Sequence, residues 1–331
     1  MASEPIEIDL ILPAVSANFG YFIGFADVLL KNKSLVKIRN VHATSGGSWV
    51  APYIVTERIN DAIEWYEALF YISKKNVHNF RVFDEWFTNN FFYLTTIPII
   101  GNWLLVFLQS FFLLIFGSAT KKMSLTFFHK FNDDLAPQEK EKFKNLHIYA
   151  VNADTGTLED FNGYSGYGWV YNDVCCAAST NNMVSRAQKI NKSLYIDGFF
   201  NQMHPMKNVD TSDNVLKVIL TFDIFKSNDS NLQKRSMKVN LINNIPFFSF
   251  INTLLSLFTL GRYNSGRNDI LNLINTHKDR NNIRVFSTDM GWGLDQQIFI
   301  KSIENTRIAK RLRLDGEKHA NKFIESLKNS Q

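Results

Sequence analysis

The stretch N-V-H-A-T-S-G-G-S-W, residues 40–49, decides the fold that we predict for this chain. Its first half, Asn40–Thr44, predicts a buried strand that runs directly into Ser45 and two glycines. A serine in a sharp turn between a strand and a helix is the layout of a nucleophile elbow, in which small neighbours let the backbone pass close to a substrate. A glycine-rich turn with an ordinary structural serine is the alternative for this motif taken alone.

Strands and helices alternate on both sides of this stretch. Ile6–Leu12 predicts a buried strand that ends at Pro13, and Phe19–Lys31 predicts a helix with one apolar face. Further strands are predicted at Leu146–Ala153, Ser193–Ile196, Val215–Phe222 and Ile283–Ser287, and helices at Gln296–Arg313 and Gly316–Lys328. This alternation is typical of an α/β sandwich in which helices cover a mainly parallel sheet.

Composition places the chain among globular proteins. Of its 331 residues, 45% are hydrophobic and 20% are charged, which excludes disorder, collagen and coiled coil. Cys175 and Cys176 are adjacent, so we expect buried strand residues in a reducing compartment, without disulfides or a zinc site. The net charge of +5 favours anionic partners, but no run of Lys and Arg is dense enough to indicate nucleic-acid binding. Met1–Glu7 contains no basic residue, so we expect no secretory signal.

A second motif, S-L-Y-I-D-G at residues 193–198, places Asp197 at the end of a predicted strand. Together with Ser45, it resembles the patatin-like and cytosolic phospholipase A superfamily. Members of that superfamily pair a serine in G-x-S-x-G with an aspartate in D-G-[GA], without histidine. Ser45–Trp49 is similar to the S-G-G-S-W elbow of fungal phospholipase B and its cytosolic relatives.

The resemblance extends along much of the chain. His147–Phe161 is similar to the family's strand-turn-strand around a Thr-Gly pair, and Val215–Asp223 is similar to the strand that follows the aspartate. Gly291-Trp292-Gly293 resembles a late turn of the family. The resemblance therefore implies one patatin-like catalytic domain over residues 1–331, a three-layer sandwich with a central, mainly parallel sheet.

The resemblance also implies a chemistry. Ser45 would attack an acyl ester and Asp197 would take its proton, with a phospholipid or lysophospholipid as substrate and with no metal or cofactor. Main-chain N–H groups of Ala14, Val15 and Gly46 would stabilise the oxyanion.

Two features of the sequence leave alternatives open. The family's G-G-G-x-[RK]-G oxyanion loop corresponds here to residues 13–17, P-A-V-S-A, and Pro13 removes one donor. A catalytically inactive relative with a lipid-binding or membrane-structural role is therefore the alternative function. His204 follows Asp197 closely enough for a Ser-His-Asp triad to be an alternative to the dyad, whereas His42, on the strand before Ser45, is expected to be structural.

Two long windows contain no Asp, Glu, Lys, Arg or His: Trp86–Thr120 and Val239–Gly261. The first predicts an apolar helical insertion at 84–121. A single membrane span there would separate Ser45 from Asp197, so we expect either a lid or a hairpin that dips into one leaflet. A hairpin of this kind predicts a cytoplasmic protein that is associated peripherally with a membrane surface.

Overall fold

A computed structural model of the protein describes residues 4–14, 19–68, 130–131, 133–162, 171–179, 187–202, 204–206, 209, 214–222, 265, 268–276, 282–288 and 306–329. The predicted insertion at 84–121 and the window Val239–Gly261 lie outside these residues, as do Val15 and the Gly291–Gly293 turn. Among the described residues, no helix combines the length and apolar character that a membrane span requires.

Within the described residues, eight strands form one mixed β-sheet. They are β1 Ile6–Leu12, β2 Val36–Thr44, β3 Leu146–Asn152, β4 Leu158–Asn162, β5 Gln188–Ile190, β6 Ser193–Asp197, β7 Leu216–Phe222 and β8 Ile283–Thr288. Five neighbours in the order β8-β7-β1-β2-β3 are parallel. Strands β4 and β6 run antiparallel to β3, and β5 runs antiparallel to β6. The chain therefore has an α/β fold with a parallel centre and an antiparallel extension at one end.

Helices precede and follow the strands. They are α1 Gly20–Lys31, α2 Ala51–Val55, α3 Pro137–Glu141, α4 Tyr171–Ala178 and α5 Thr306–Lys328. Residues 59–68 and 268–276 are also helical, and short 3₁₀ turns span Ser45–Trp49, Lys142–Asn145 and Gly198–Phe200.

Alternate residues of β1, β7 and β8 face two different cores, because side chains of a strand point to opposite faces. Ile8 of β1 faces the larger core, together with Phe25 of α1 and Phe323 of α5, whose rings stack. Ile11 faces a smaller core with Ile270, which belongs to the helical segment 268–276. Apolar side chains thus cover both faces of the central strands, as a parallel sheet requires.

The predicted break between two C-terminal helices at Gly316 is wrong, because α5 is continuous from Thr306 to Lys328. A Cβ atom at Gly316 would overlap the carbonyl oxygen of Tyr21 in α1, and a Cβ atom at Gly24 would overlap that of Arg313 in α5. The two glycines therefore allow the helix backbones to touch where they cross. Close packing outweighs the low helix propensity of glycine, about 1 kcal/mol relative to alanine.

A buried ion pair joins the central strands. Asp9 of β1 and Lys217 of β7 are direct neighbours in the sheet, and the Lys217 Nζ donates to Asp9 Oδ2 at 2.7 Å. The β1–β2 register shifts at this point and leaves Arg39 as the extra residue of β2, whose Nε donates to Asp9 Oδ1 at 2.8 Å. Asp9 and Lys217 are almost completely buried, so each charge depends on the other.

Candidate active site

The ends of β2 and β6 meet beside β3, and this brings the two sequence motifs together. Strand β4 occupies one edge of β3, so β2 and β6 share the other edge. Strand β2 ends at Thr44 opposite Tyr149, and β6 ends at Asp197 opposite Ala150. Because β2 is parallel and β6 is antiparallel to β3, the two strands head towards each other and stop at adjacent residues of β3. Ser45 and Asp197 therefore become neighbours.

Ser45 begins the turn in a conformation that non-glycine residues rarely adopt. Its φ of 50° lies in the left-handed region, and it is the first residue of the 3₁₀ turn Ser45–Trp49. Its Oγ donates a hydrogen bond to Oδ2 of Asp197 at 2.6 Å. A backbone outlier at a strand-to-helix turn is the geometry of a nucleophile elbow. The predicted contact between these two side chains is present, with no intervening histidine.

Asp197 lies in surroundings that disfavour its charge. Its side chain is buried, and Oδ1 accepts a hydrogen bond from the main-chain N–H of Phe199 at 2.9 Å. Burial raises the pKa of Asp197 to about 7, and the hydrogen bonds from Ser45 and Phe199 oppose only part of that rise. Both donors are neutral. The carboxyl group can therefore exchange a proton near neutral pH.

Two glycines keep the backbones of the site close together. A Cβ atom at Gly198, directly after Asp197, would lie 2.7 Å from the carbonyl oxygen of Tyr149. One at Gly47 would lie 2.7 Å from the carbonyl oxygen of Leu12, at the end of β1. Larger residues at either position would push the aspartate or the turn away from the sheet.

Two residues that sequence analysis did not assign to the site support the turn. The Oγ of Ser48 donates to the carbonyl oxygen of Ser45 at 2.5 Å, and the Sγ of Cys175 donates to the carbonyl oxygen of Ser48 at 3.3 Å. Cys175 is buried as predicted, but it lies in helix α4 and not in a strand, because this helix packs against the turn. The S-G-G-S-W motif contained a signal for Ser48, whereas Cys175 had none.

The predicted oxyanion donors are partly described. Ala14 is buried and comes two residues after Leu12, which lies against Gly47 of the turn. Gly46 is buried directly after Ser45. Val15 lies outside the described residues. Ala14 and Gly46 thus belong to two neighbouring segments at one edge of the sheet, and their role as donors stays a prediction.

The described histidines make other contacts. His204 Nε2 lies 3.1 Å from Thr221 Oγ1, and burial lowers the pKa of His204 to about 3. The alternative triad through His204 is therefore not formed in this structure. His42 Nδ1 lies 2.9 Å from the Tyr149 hydroxyl, and its ring stacks on His147, which agrees with a structural role. Within the described part of the chain, no cluster of His, Cys, Asp and Glu is placed to hold a metal ion.

Comparisons with known proteins find a remote likeness. No protein-family model matches the chain, and no curated protein matches it by sequence. Among solved structures, VipD from Legionella pneumophila is 12% identical with a TM-score of 0.48, and the match covers 98% of this chain and 67% of that one. A likeness this remote defines neither a family nor an activity. The fold and the site together define an α/β protein with a buried Ser–Asp pair at a strand-to-helix turn.

Proposed function

We propose that the protein is a patatin-like serine acyl-ester hydrolase, with Ser45 as nucleophile and Asp197 as general base. The observation that carries this proposal is the 2.6 Å hydrogen bond from Ser45 Oγ to Asp197 Oδ2 in a buried turn. A serine hydroxyl needs a base within hydrogen-bond reach before it can attack a carbonyl group. A carboxyl group with a pKa of about 7 is well matched to this task at neutral pH.

The reaction proceeds in two half-reactions. Ser45 Oγ attacks the ester carbonyl carbon while its proton moves to Asp197, and the ester C–O bond then breaks as Asp197 returns that proton to the leaving alcohol. In the second half, water attacks the acyl carbonyl carbon and gives a proton to Asp197. The bond from the acyl carbon to Ser45 Oγ then breaks, Asp197 returns the proton to Ser45 Oγ, and the fatty acid leaves. Main-chain N–H groups of Gly46, Ala14 and Val15 stabilise the oxyanion in both halves.

The substrate class rests on the similarity of both motifs to those of phospholipases. Ser45–Trp49 and Ser193–Gly198 carry the resemblance, and they contain the two side chains of the dyad. We therefore assign a glycerophospholipid or lysophospholipid as substrate and place the reaction at the cytoplasmic surface of a membrane. The insertion at 84–121 would be its lid or membrane-contact hairpin.

One observation favours a second candidate, an inactive lipid-binding relative. Pro13 has no N–H to donate, and the segment after β1 lacks the glycines of the family's oxyanion loop. An intact dyad without a working oxyanion hole would bind lipid without hydrolysing it.

A fluorophosphonate probe tests the proposal, since it reacts covalently with activated serines. We expect the wild type to be labelled, Ser45→Ala to be unlabelled, and Ser34→Ala, which changes an exposed serine, to be labelled like the wild type. Release of fatty acid from phospholipid vesicles should follow the same pattern. If the wild type is not labelled while a control lipase is, the inactive relative is the better description.

A further inference from the structure

The outer face of α5 carries a positive surface that the proposed chemistry does not use. Lys310, Arg311, Lys318 and Lys322 are exposed, and they surround Leu314, which keeps 51% of its surface exposed. These positions lie on one side of the helix because α-helical neighbours recur every three to four residues. The opposite side, with Leu312 and Phe323 among others, is buried in the larger core. We call Lys310, Arg311, Lys318 and Lys322, together with Leu314, the basic stripe.

The charges of the basic stripe are uncompensated within the described residues. None of its four cations forms an ion pair there, whereas the neighbouring Arg313 pairs with Glu317 at 3.1 Å. Asp315 accepts a hydrogen bond from Thr288 at 3.2 Å and points to the sheet instead. Glu325 is the next exposed acid on this side and follows Lys322 by one turn. The stripe therefore presents four positive charges around an apolar side chain.

The middle of the basic stripe lies beside the edge of the sheet at which the dyad lies. Thr288, which contacts Asp315 next to Leu314, is the last residue of β8. Strand β8 is parallel to β7, β1 and β2, and β2 leads into Ser45. Neighbouring strands are about 4.8 Å apart, so β8 lies roughly 14 Å from β2. The stripe and the dyad are therefore near the same edge of the sheet.

We propose that the basic stripe of α5 docks the protein on anionic lipid headgroups, with Leu314 inserted between them. The proposal rests on the proposed function, because a lipid hydrolase must hold a membrane surface near its nucleophile. Basic residues attract anionic leaflets electrostatically, and an apolar side chain among them adds contact with the acyl boundary. Nucleic acid also binds basic surfaces, but it offers no apolar layer for Leu314.

Vesicle flotation of the full chain tests the proposal, with phosphatidylcholine vesicles compared to vesicles that also contain phosphatidylserine. The test variant carries Lys310→Gln, Arg311→Gln, Lys318→Gln and Lys322→Gln. The matched control changes four exposed lysines elsewhere, Lys140, Lys144, Lys189 and Lys192, to Gln, so both variants lose the same net charge. We expect the stripe variant to bind phosphatidylserine vesicles about tenfold more weakly or worse, and the control to lose much less.

Leu314→Ser separates a membrane from other anionic partners. We expect it to weaken vesicle binding severalfold and to leave binding to single-stranded DNA or heparin unchanged. Equal losses in the stripe variant and its control would overturn the proposal, as would a stripe variant that loses nucleic-acid binding while its vesicle binding is intact.

Fluorophosphonate labelling in detergent keeps this test distinct from that of the proposed function. Both charge variants should be labelled like the wild type, because neither touches the dyad. Loss of vesicle binding with intact labelling supports the docking surface. If the wild type is not labelled, the binding result stays valid and only the proposed enzymatic activity is contradicted.

Discussion

Asp9 and Asp197 are both buried at the central sheet, yet their surroundings push their pKa values in opposite directions. Burial raises the pKa of each carboxyl group. At Asp9 the hydrogen bonds and positive charges of Arg39 and Lys217 outweigh burial and hold the pKa below its usual range. At Asp197 the partners are the Ser45 hydroxyl and the Phe199 N–H, and the pKa rises to about 7.

The difference shows how one fold separates a structural carboxylate from a reactive one. A carboxylate held by two cations stays ionised and cannot accept a proton near neutral pH. A carboxyl group held by neutral donors gains and loses a proton there, which a general base requires. The role of each aspartate thus depends on the charge of its partners and not on its depth.

The largest expected effect is on activity, from Asp197→Asn. This change keeps the size of the side chain but removes the base, so kcat/KM for ester hydrolysis should fall about 10²–10⁴-fold. The free energy of unfolding should not fall at neutral pH, because an amide can keep hydrogen bonds to Ser45 and Phe199 and carries no buried charge. Steady-state kinetics and chemical denaturation measure the two quantities. An Asn variant with wild-type kcat/KM would show that Asp197 resembles Asp9 in being purely structural.

The next effect is on stability, from Lys217→Met. This change leaves the Asp9 charge buried with Arg39 as its partner, so the free energy of unfolding should fall by about 3–5 kcal/mol. Urea denaturation measures the loss, and the double variant Asp9→Asn/Lys217→Met should recover much of it. Activity per folded molecule, counted by fluorophosphonate titration, should stay near the wild-type value. A specific loss of activity would mean that the two buried carboxylates are not independent.

The pH dependence should differ in sign between the two aspartates. Asp197 must be ionised to act, so kcat/KM should rise about tenfold per pH unit and level off above about 7. Because its folded pKa is raised, Asp197 also stabilises the fold at low pH and loses this contribution as the pH rises towards about 7.

Asp9 has a lowered folded pKa, so its stabilisation is present above its usual pKa and is lost as the pH falls below it. Chemical denaturation at several pH values measures both contributions. The decrease in the free energy of unfolding with rising pH should disappear in Asp197→Asn, and the loss of stability in acid should become smaller in Asp9→Asn. A kcat/KM that does not change between pH 5 and pH 8 would exclude Asp197 as a general base with a pKa of about 7.

The smallest effect is expected for an exposed ion pair between β1 and β2. Lys37 Nζ lies 2.8 Å from Glu7 Oε1, and both side chains are well exposed. Lys37→Ala should therefore lower the free energy of unfolding by about 0–1 kcal/mol, against the much larger loss for Lys217→Met. Urea denaturation of both single variants in one buffer makes this comparison. A loss at Lys37 as large as that at Lys217 would show that burial does not set the strength of these pairs.

Local patterns predicted much of the fold. Ile6–Leu12 is a strand with the predicted bounds, and the predicted helix at Phe19–Lys31 begins one residue later. Both are local: strand and helix formation depend on the spacing of apolar residues within one segment. The β5 strand was missed because its three residues are too few to show a period. Strand β2 begins four residues earlier than predicted, at Val36, where pairing with β1 extends it past the apolar run.

Non-local contacts explain the errors. The local pattern predicted a break between one helix that ends at Arg313 and another that begins at Gly316, and only the approach of α1 makes glycine suitable inside α5. Cys175 was predicted in a strand because short apolar residues fit a strand or a helix equally well. In the structure, Cys175 contacts the carbonyl oxygen of Ser48 from a helix.

The sequence by itself determined which residues belong to the candidate site: a serine at a strand-to-helix turn and an aspartate before a glycine are local patterns with a chemical meaning. Only the tertiary structure decided that β6 runs antiparallel to β3 and ends where β2 ends, which sets the 2.6 Å contact of the pair. It also decided that Lys217 and Arg39 reach Asp9, whereas the described partners of Asp197 are neutral. The physical reason is that a pKa depends on charges and burial within a few ångströms, and those neighbours come from strands far apart in the chain.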